Sequence, residues 1–421
     1  MEQLLHYVWK HKIFPLKELI TTLGQRLEII DVGLPNMNAG PDFFNAKIKL
    51  DGVLWVGNVE IHTSSSDWKR HGHENDVAYD NVILHVATNI DMDIFRNNGE
   101  LIPQLQLDCP QHIRHNFEEL FATDNYPPCY RIIPSLSSFT IHSWMSVLQM
   151  ERFEQKTNQL SERLKFCNNH WEDAFFMTLS RNFGFGLNGD AFEIWAKHIP
   201  LRAVDKHRDN LFQVEAIFFG QAGILGDIDG DEYYMKLKRE YEYLAHKFNL
   251  TPMDVSHWRF LRLRPNNFPH IRIAQLACLY HRSYNLLSQL IEKDSLKEIR
   301  NILRGGTSEY WNNHYTFGGV TSVRPKTLSD TSLDLLIINT VVTFLYAYGM
   351  HKANELMCNR ATSILEELKP ENNYIIRMWK QCGMEVSHAG DSQALIQLKK
   401  EYCDKKKCLY CRIGFEYLKM K

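Results

Sequence analysis

The dipeptide Asp51-Gly52, flanked by runs of strand-forming residues at 43–50 and 53–63, is the strongest local constraint in the chain. Such a pair suits the two central positions of a tight hairpin turn. The flanking runs are therefore expected to pair antiparallel, which carries Asp42 and Glu60 to the same end of the hairpin. Further strand-like runs lie at 27–32 and 82–88. Apolar spacing after Pro15 predicts a helix over 14–23. Ser66-Asp67 predicts a helix start within 64–81, with Val77, Ala78 and Tyr79 on its buried side. The expected order is helix, three strands, helix, strand. A second hairpin is expected around Asn97-Asn98-Gly99.

Beyond the proline-bearing stretch 125–134 the pattern changes. Apolar positions recur at helical spacing over 143–164, 171–183, 232–248, 271–291, 333–348 and 351–367. The fold class is thus read as α+β. An α/β domain is expected over 1–124, a large helical domain over 135–395, and a basic, cysteine-containing tail over 396–421. The acidic run at 227–232 is expected to cap the helix that begins at Glu232.

Two carboxylates held close together repel each other unless a cation sits between them. Oxygen ligands of this kind suit Mg²⁺ or Mn²⁺. Glu60 and His62 are two apart and leave the same strand face, whereas Val59 and Ile61 face a core. His62 is expected to help place a water nucleophile. Asp42 shares strand parity with Phe44, Ala46 and Ile48, so a bulge or bend is required to aim it at Glu60. The alternative is a turn-forming Asp42 and an ion-paired Glu60. His71-Gly72-His73-Glu74 and His85 offer more donors, although His-x-His also fits a solvated polar turn.

Pro41-Asp42 and Glu60-Ile61-His62, placed in such a core, resemble the motif of the PD-(D/E)XK nuclease superfamily. The resemblance implies a PD-(D/E)XK-like α/β core in which Asp42 and Glu60 hold a divalent metal and His62 stands where lysine is usual. It also implies Glu18 as an additional carboxylate. Lys47, Lys49 or Lys69 would replace the missing cationic charge. The activity implied is metal-dependent cleavage of nucleic-acid phosphodiesters. The alternatives are a non-catalytic nucleic-acid-binding or adaptor protein, and an interaction scaffold with a structural metal clip. LLHYVWKHKIF, NAGPDF, VGNVEIHTSSSDWKRHGH, YDNVILHV, FFGQAGILG, RPNNFPHIRIAQLA and CLYCRIG resemble an uncharacterised bacterial family, domain of unknown function 2851. That resemblance spans the chain and implies a single evolutionary unit, with no activity attached.

Of the 9 cysteines, Cys403, Cys408 and Cys411 form a C-x4-C-x2-C cluster. Thiolates select zinc or an iron–sulfur cluster, with Cys382, Cys129 or His388 as the fourth ligand; the alternative is a set of free or oxidisable thiols. Some PD-(D/E)XK nucleases carry an iron–sulfur cluster on three C-terminal cysteines and a distant fourth, and this spacing resembles theirs. Arg259, Arg262, Arg264 and Arg272 surround residues 265–269 and are a candidate nucleic-acid surface; structural arginines are the alternative. A net charge of -2 and a pI near 6.8 confine nucleic-acid contact to local patches such as this one and the basic tail. The first residues show no signal-peptide pattern and the apolar run 335–345 is too short to span a bilayer, so a cytoplasmic protein is expected.

Overall fold

The computed structural model describes residues 2–14, 17–36, 38–122, 126–226 and 230–420. The chain divides into two units, Met1–Ile141 with Lys400–Lys421, and His142–Lys399.

In the first unit a helix, α1 (Glu2–Lys10), precedes a sheet of β1 (Leu19–Ile20), β2 (Arg26–Asp31), β3 (Leu34–Pro35), β4 (Phe43–Leu50), β5 (Val53–Ser64), β6 (Val82–Asn89) and β7 (Gln104–Gln106). The order across the sheet is β1-β2-β4-β5-β6-β7, with β3 pairing β4. β2, β4 and β5 form an antiparallel meander, and β6 and β7 add to it in parallel. Asp51 and Gly52 both take positive φ, at 48° and 87°, so the turn forms as its sequence requires.

The helical parts of the expected order differ. The N-terminal helix is α1, whose Leu4, Leu5, Tyr7, Val8 and Trp9 are buried. Residues 15 and 16 of the expected 14–23 helix lie outside the described residues, and Leu19–Ile20 pairs with β2 instead. The crossover at 64–81 is a single turn, α2 (Asp67–Arg70), followed by 3-10 turns at His73–Asn75 and Val77–Tyr79. Gly72, at φ 74°, breaks the helical path. Val77 is consequently exposed, and only Tyr79 of the expected buried face is inside. The turn at 97–99 forms, with Phe95 bridging Leu101.

The bulge demanded by strand parity is present. Phe43 pairs with Val59 and Ala46 with Gly57, so β4 carries one extra residue against β5. Asn45 sits there at φ 55°, and its N–H meets Asn58 Oδ1 at 3.3 Å. Above the bulge Ala46, Ile48 and Leu50 are buried; below it Phe43 is. The inward face thus switches from even to odd positions. Asp42 is left opposite Glu60, on the other face from Phe43.

The C-terminal residues fold with the first unit. Asn116, on α3 (Gln111–Ala122), donates through Nδ2 to Leu418 O at 3.2 Å and Met420 O at 2.8 Å, capping the helix Arg412–Leu418. Tyr417 donates its hydroxyl hydrogen to Glu119 Oε2 at 2.9 Å.

The second unit is helical. Helices at Trp171–Phe183 and Glu232–Phe248 have the bounds that periodicity predicts. The expected 271–291 helix breaks into Pro269–Arg282 and Leu286–Glu292, with Asn285 at φ 49° between them. Of the acidic run, 227–229 lie outside the described residues; Asp231 caps the helix Glu232–Phe248 by accepting from Tyr234 N at 2.8 Å. The apolar run near 335–345 belongs to a helix, Asp330–His351, that is long and apolar enough to cross a membrane. In the fold 72% of its apolar window is buried inside the protein, as in a core helix.

Candidate metal centre

β5 delivers Glu60 and His62 to one face of the sheet, and both are buried. Asp42, opposite, is tied to the same strand: its N–H donates to Glu60 Oε2 at 3.0 Å, and Ile61 N–H donates to its Oδ2 at 2.9 Å. His6, from α1, places Nε2 3.2 Å from Asp42 Oδ2. Asp42 and Glu60 therefore stand opposite each other, with backbone amides locking each carboxylate to the other's strand.

The crossover supplies more. Asp91 fixes its start by accepting from Ser65 Oγ, Ser66 N and Ser66 Oγ, each at 2.8 Å. Trp68, 1% exposed, anchors it against His73, Tyr79 and His85. The reversal at Gly72 then turns both His71 and His73 toward His62. A ligand atom from each of His62, His71 and His73 lies within 4.8 Å of the other two. His62 Nε2 is 3.2 Å from His71 Nδ1. Glu60 Oε1 is 3.4 Å from His62 Nε2 and 3.4 Å from His73 Nε2. Ligands at about 2.0–2.1 Å in a tetrahedral shell stand roughly 3.3–3.4 Å apart. These three separations are of that size, three of the six edges such a shell would need.

Hydrogen bonding fixes which nitrogen of His62 faces this cluster. Gln104 donates through Nε2 to Met92 O at 3.0 Å, which leaves its Oε1 to accept from His85 Nδ1 at 3.2 Å. Burial is the main cause that brings His85 down to about 4, so its ring is neutral and Nε2 is an acceptor. His62 Nδ1, 2.9 Å away, must then be the donor. Burial first, then the neighbouring His85, His73 and His71 imidazoles, hold His62 down at about 2. Its Nε2 therefore carries a lone pair, aimed at Glu60 and His71. Metal-binding histidines are oriented in this way, by a hydrogen bond through the other ring nitrogen. Glu60 is raised from its ordinary value, chiefly by burial, against the hydrogen bond from His73.

The other expected contributors lie elsewhere. Glu18 is not helical; it pairs with Arg26 at 2.6 Å on the exposed edge. Lys47 and Lys69 are exposed, and Lys49 meets Glu28 at 3.5 Å. A cavity of about 220 Å³ opens on Asp42 and is lined by His6, Lys10, Asn36 and Tyr410. Lys10, unmarked by any sequence motif, is the lysine that shares this cavity with Asp42.

A second cluster joins the tail to residue 129. All nine cysteines are described and none is in a disulfide. Burial, then the neighbouring Cys403, Cys411 and Cys408, push Cys129 well above the usual thiol range. Cys403 is raised likewise by burial, then by Cys411 and Cys408, and Tyr126 hydrogen-bonds to it. Of the three candidate fourth ligands, Cys129 is therefore the one gathered with the tail cysteines. His388 and Cys382 have other settings in the second unit: His388 forms a capping box with Asp391, and Cys382 ends the helix Tyr374–Gln381. A β-carbon at Gly414 would lie 2.2 Å from Cys408 O, so only glycine allows the Cys408–Cys411 loop to pack so close to its helix.

Of the arginines expected to form one surface, Arg259 and Arg262 are exposed, whereas Arg264 and Arg272 line a cavity.

A family model described as a protein of unknown function (DUF2851) matches residues 2–374, which include the histidine cluster. No curated protein and no solved structure matches the chain.

Proposed function

We propose that this chain, which belongs to the DUF2851 family, is a metal-dependent phosphodiesterase acting on nucleic acid. The reading rests on one observation: His62, His71 and His73 each bring a ligand atom within 4.8 Å of the other two, and Glu60 Oε1 lies 3.4 Å from both His62 Nε2 and His73 Nε2. A set dominated by imidazole favours Mn²⁺ or Zn²⁺ over Mg²⁺. Such an ion polarises a phosphoryl oxygen and lowers the pKa of a bound water.

The chain's own residues would do the rest. His62, His71 and His73 hold the ion, and Glu60 closes the set from the strand side. Asp42, paired with His6, faces the adjoining cavity. Lys10 gives that cavity the cation that His62 does not. Support for a nuclease-like reading comes from the Asp42 and Glu60-x-His62 pattern, set on a three-strand meander followed by a parallel strand.

The four cysteines are proposed as a second, structural centre holding zinc or an iron–sulfur cluster, which would pin the tail to the segment around Cys129. Cys129 and Cys403, pushed up by burial and by their neighbouring thiols, would be relieved when a metal takes them as thiolates.

The test strips the protein with chelator, reloads it with Mn²⁺, Zn²⁺ or Mg²⁺, and follows cleavage of single- and double-stranded DNA and RNA. The expected result is cleavage with at least one metal and a loss of a hundredfold or more in both Glu60→Gln and His73→Ala. Equal rates in wild type and variants would remove the enzyme reading. Binding with a steep salt dependence and no turnover would favour the adaptor alternative.

A further inference from the structure

Arg272 and Lys326 are buried in the second unit, 6% and 4% exposed, and neither has a carboxylate partner among the described contacts. Arg272 donates from Nη1 to Gln275 Oε1 at 2.8 Å and from Nη2 to Asn267 Oδ1 at 2.6 Å. Its guanidinium centre stacks 4.3 Å from the Phe185 ring centroid. Its Nε is buried with no partner at all. Burial alone brings Arg272 down to about 10, with no neighbouring charge offsetting it. Lys326 Nζ donates to Asn312 O at 3.1 Å and Arg324 O at 3.2 Å, over the Tyr315 ring at 4.0 Å. Two of its three donors are used. Gln275 links the two cations, since its Nε2 donates to Lys326 O at 2.9 Å while its Oε1 accepts from Arg272.

Buried cations without anions are costly, and a fold retains them when an anion completes the site. Both cations line a cavity of about 310 Å³, together with Arg264, Asn266, Thr327 and Ser329, and no lining residue is acidic. A bare oxyanion would leave most of that space empty, and the volume lies at the lower end of small-ligand sites. A planar guanidinium fork in a cavity whose lining also includes a lysine suits phosphate oxygens.

We infer that this cavity is a binding site for a phosphomonoester, with Arg272 and Lys326 gripping the phosphate and Arg264 at the mouth. The site stands apart from the metal-centre reading, because every residue that carries it lies in the helical unit. Two carriers share this chemistry, a small phosphorylated metabolite and the terminal phosphate of a nucleic-acid strand.

The test uses the full chain in the presence of EDTA, so that no metal contributes. Titration calorimetry would measure inorganic phosphate, a nucleoside 5′-monophosphate, and an oligonucleotide with either a 5′-phosphate or a 5′-hydroxyl. Saturable binding of at least one phosphomonoester is expected, weakened tenfold or more in Arg264→Ala and abolished in Arg272→Met. Arg264 is exposed, so its variant keeps the test decisive if Arg272→Met does not fold. Preference for the mononucleotide assigns a metabolite; preference for the 5′-phosphorylated over the 5′-hydroxyl strand assigns a strand end. Absence of saturable binding by any phosphomonoester, or binding unchanged in Arg264→Ala and any folded Arg272→Met protein, would overturn the inference.

Discussion

His62 Nδ1 lies 2.9 Å from His85 Nε2, and Gln104 Oε1 lies 3.2 Å behind His85 Nδ1. The buried amide thus sets the tautomer of one ring and, through it, of the next. Its effect is to leave His62 Nε2 unprotonated where His71, His73 and Glu60 meet.

His85→Phe keeps an aromatic ring in the core but cannot accept from His62. Metal affinity, measured by competition with a chelator, is expected to fall about 10- to 100-fold, although His85 is not itself a ligand. Gln104→Met should act in the same direction. Unchanged affinity in both would show that the relay does not orient the site.

The β4 bulge is what aims Asp42. Asn45→Gly suits φ 55° and should leave stability nearly unchanged. Asn45→Val places a β-branched residue in the left-handed region and should cost about 1–2 kcal/mol in urea unfolding. It should also weaken metal binding, if the strand relaxes its register to escape the strain. Equal stability of the Val and Gly variants would contradict the left-handed bulge.

Glu215, fully buried in the helical unit, accepts from Tyr233 and Ser308, and burial pushes it up to about 7. Its folded-state pKa lies above its unfolded value. Its contribution to stability is therefore full below about 4.5 and is lost as pH rises toward 7. At about 1.4 kcal/mol per pKa unit, that loss is about 3 kcal/mol. Glu215→Gln should remove this part of the pH dependence. The difference in unfolding free energy between variant and wild type should move in favour of the variant from pH 5 to pH 8. A constant difference across that range would show that the carboxyl is not held protonated.

Cys129→Ser should lower the metal content associated with the tail, read as zinc by elemental analysis or as absorbance near 400 nm for an iron–sulfur cluster. Cys382→Ser should not. Equal metal content in the two variants would remove Cys129 from the cluster.

Much of this geometry was legible in the sequence, for physical reasons that can be named. Asp51-Gly52 specified the hairpin because few residue pairs take two positive φ values. Parity alone required a bulge below Ala46, and Asn45 supplied it. The crossover was misread because Val77 and Ala78 look like one face of a helix, whereas Gly72 and the cap at Asp76 divide the segment into short turns. His71 and His73 were visible only as a weak pair. Their third partner, His62, is nine residues from His71 in sequence and is brought close by the Ser65–Asp91 clamp, a contact 26 residues apart that no periodicity reveals. Cys129 stands far from the tail cysteines in sequence, so spacing could not select it over Cys382. The arginine cluster is legible in the sequence, but only packing separates the buried Arg272 from the exposed Arg259 and Arg262.

The central claim is that Glu60, His62, His71 and His73 form a metal site, and anomalous X-ray diffraction tests it most directly. Crystals of protein loaded with Zn²⁺ or Mn²⁺ would be measured above and below the metal's absorption edge. The account predicts an anomalous peak about 2.0–2.2 Å from His62 Nε2, shared with His71, His73 and Glu60, and absent from a His71→Ala, His73→Ala protein. A metal-loaded crystal with no peak among these four side chains, the imidazoles instead bonding one another, would contradict it.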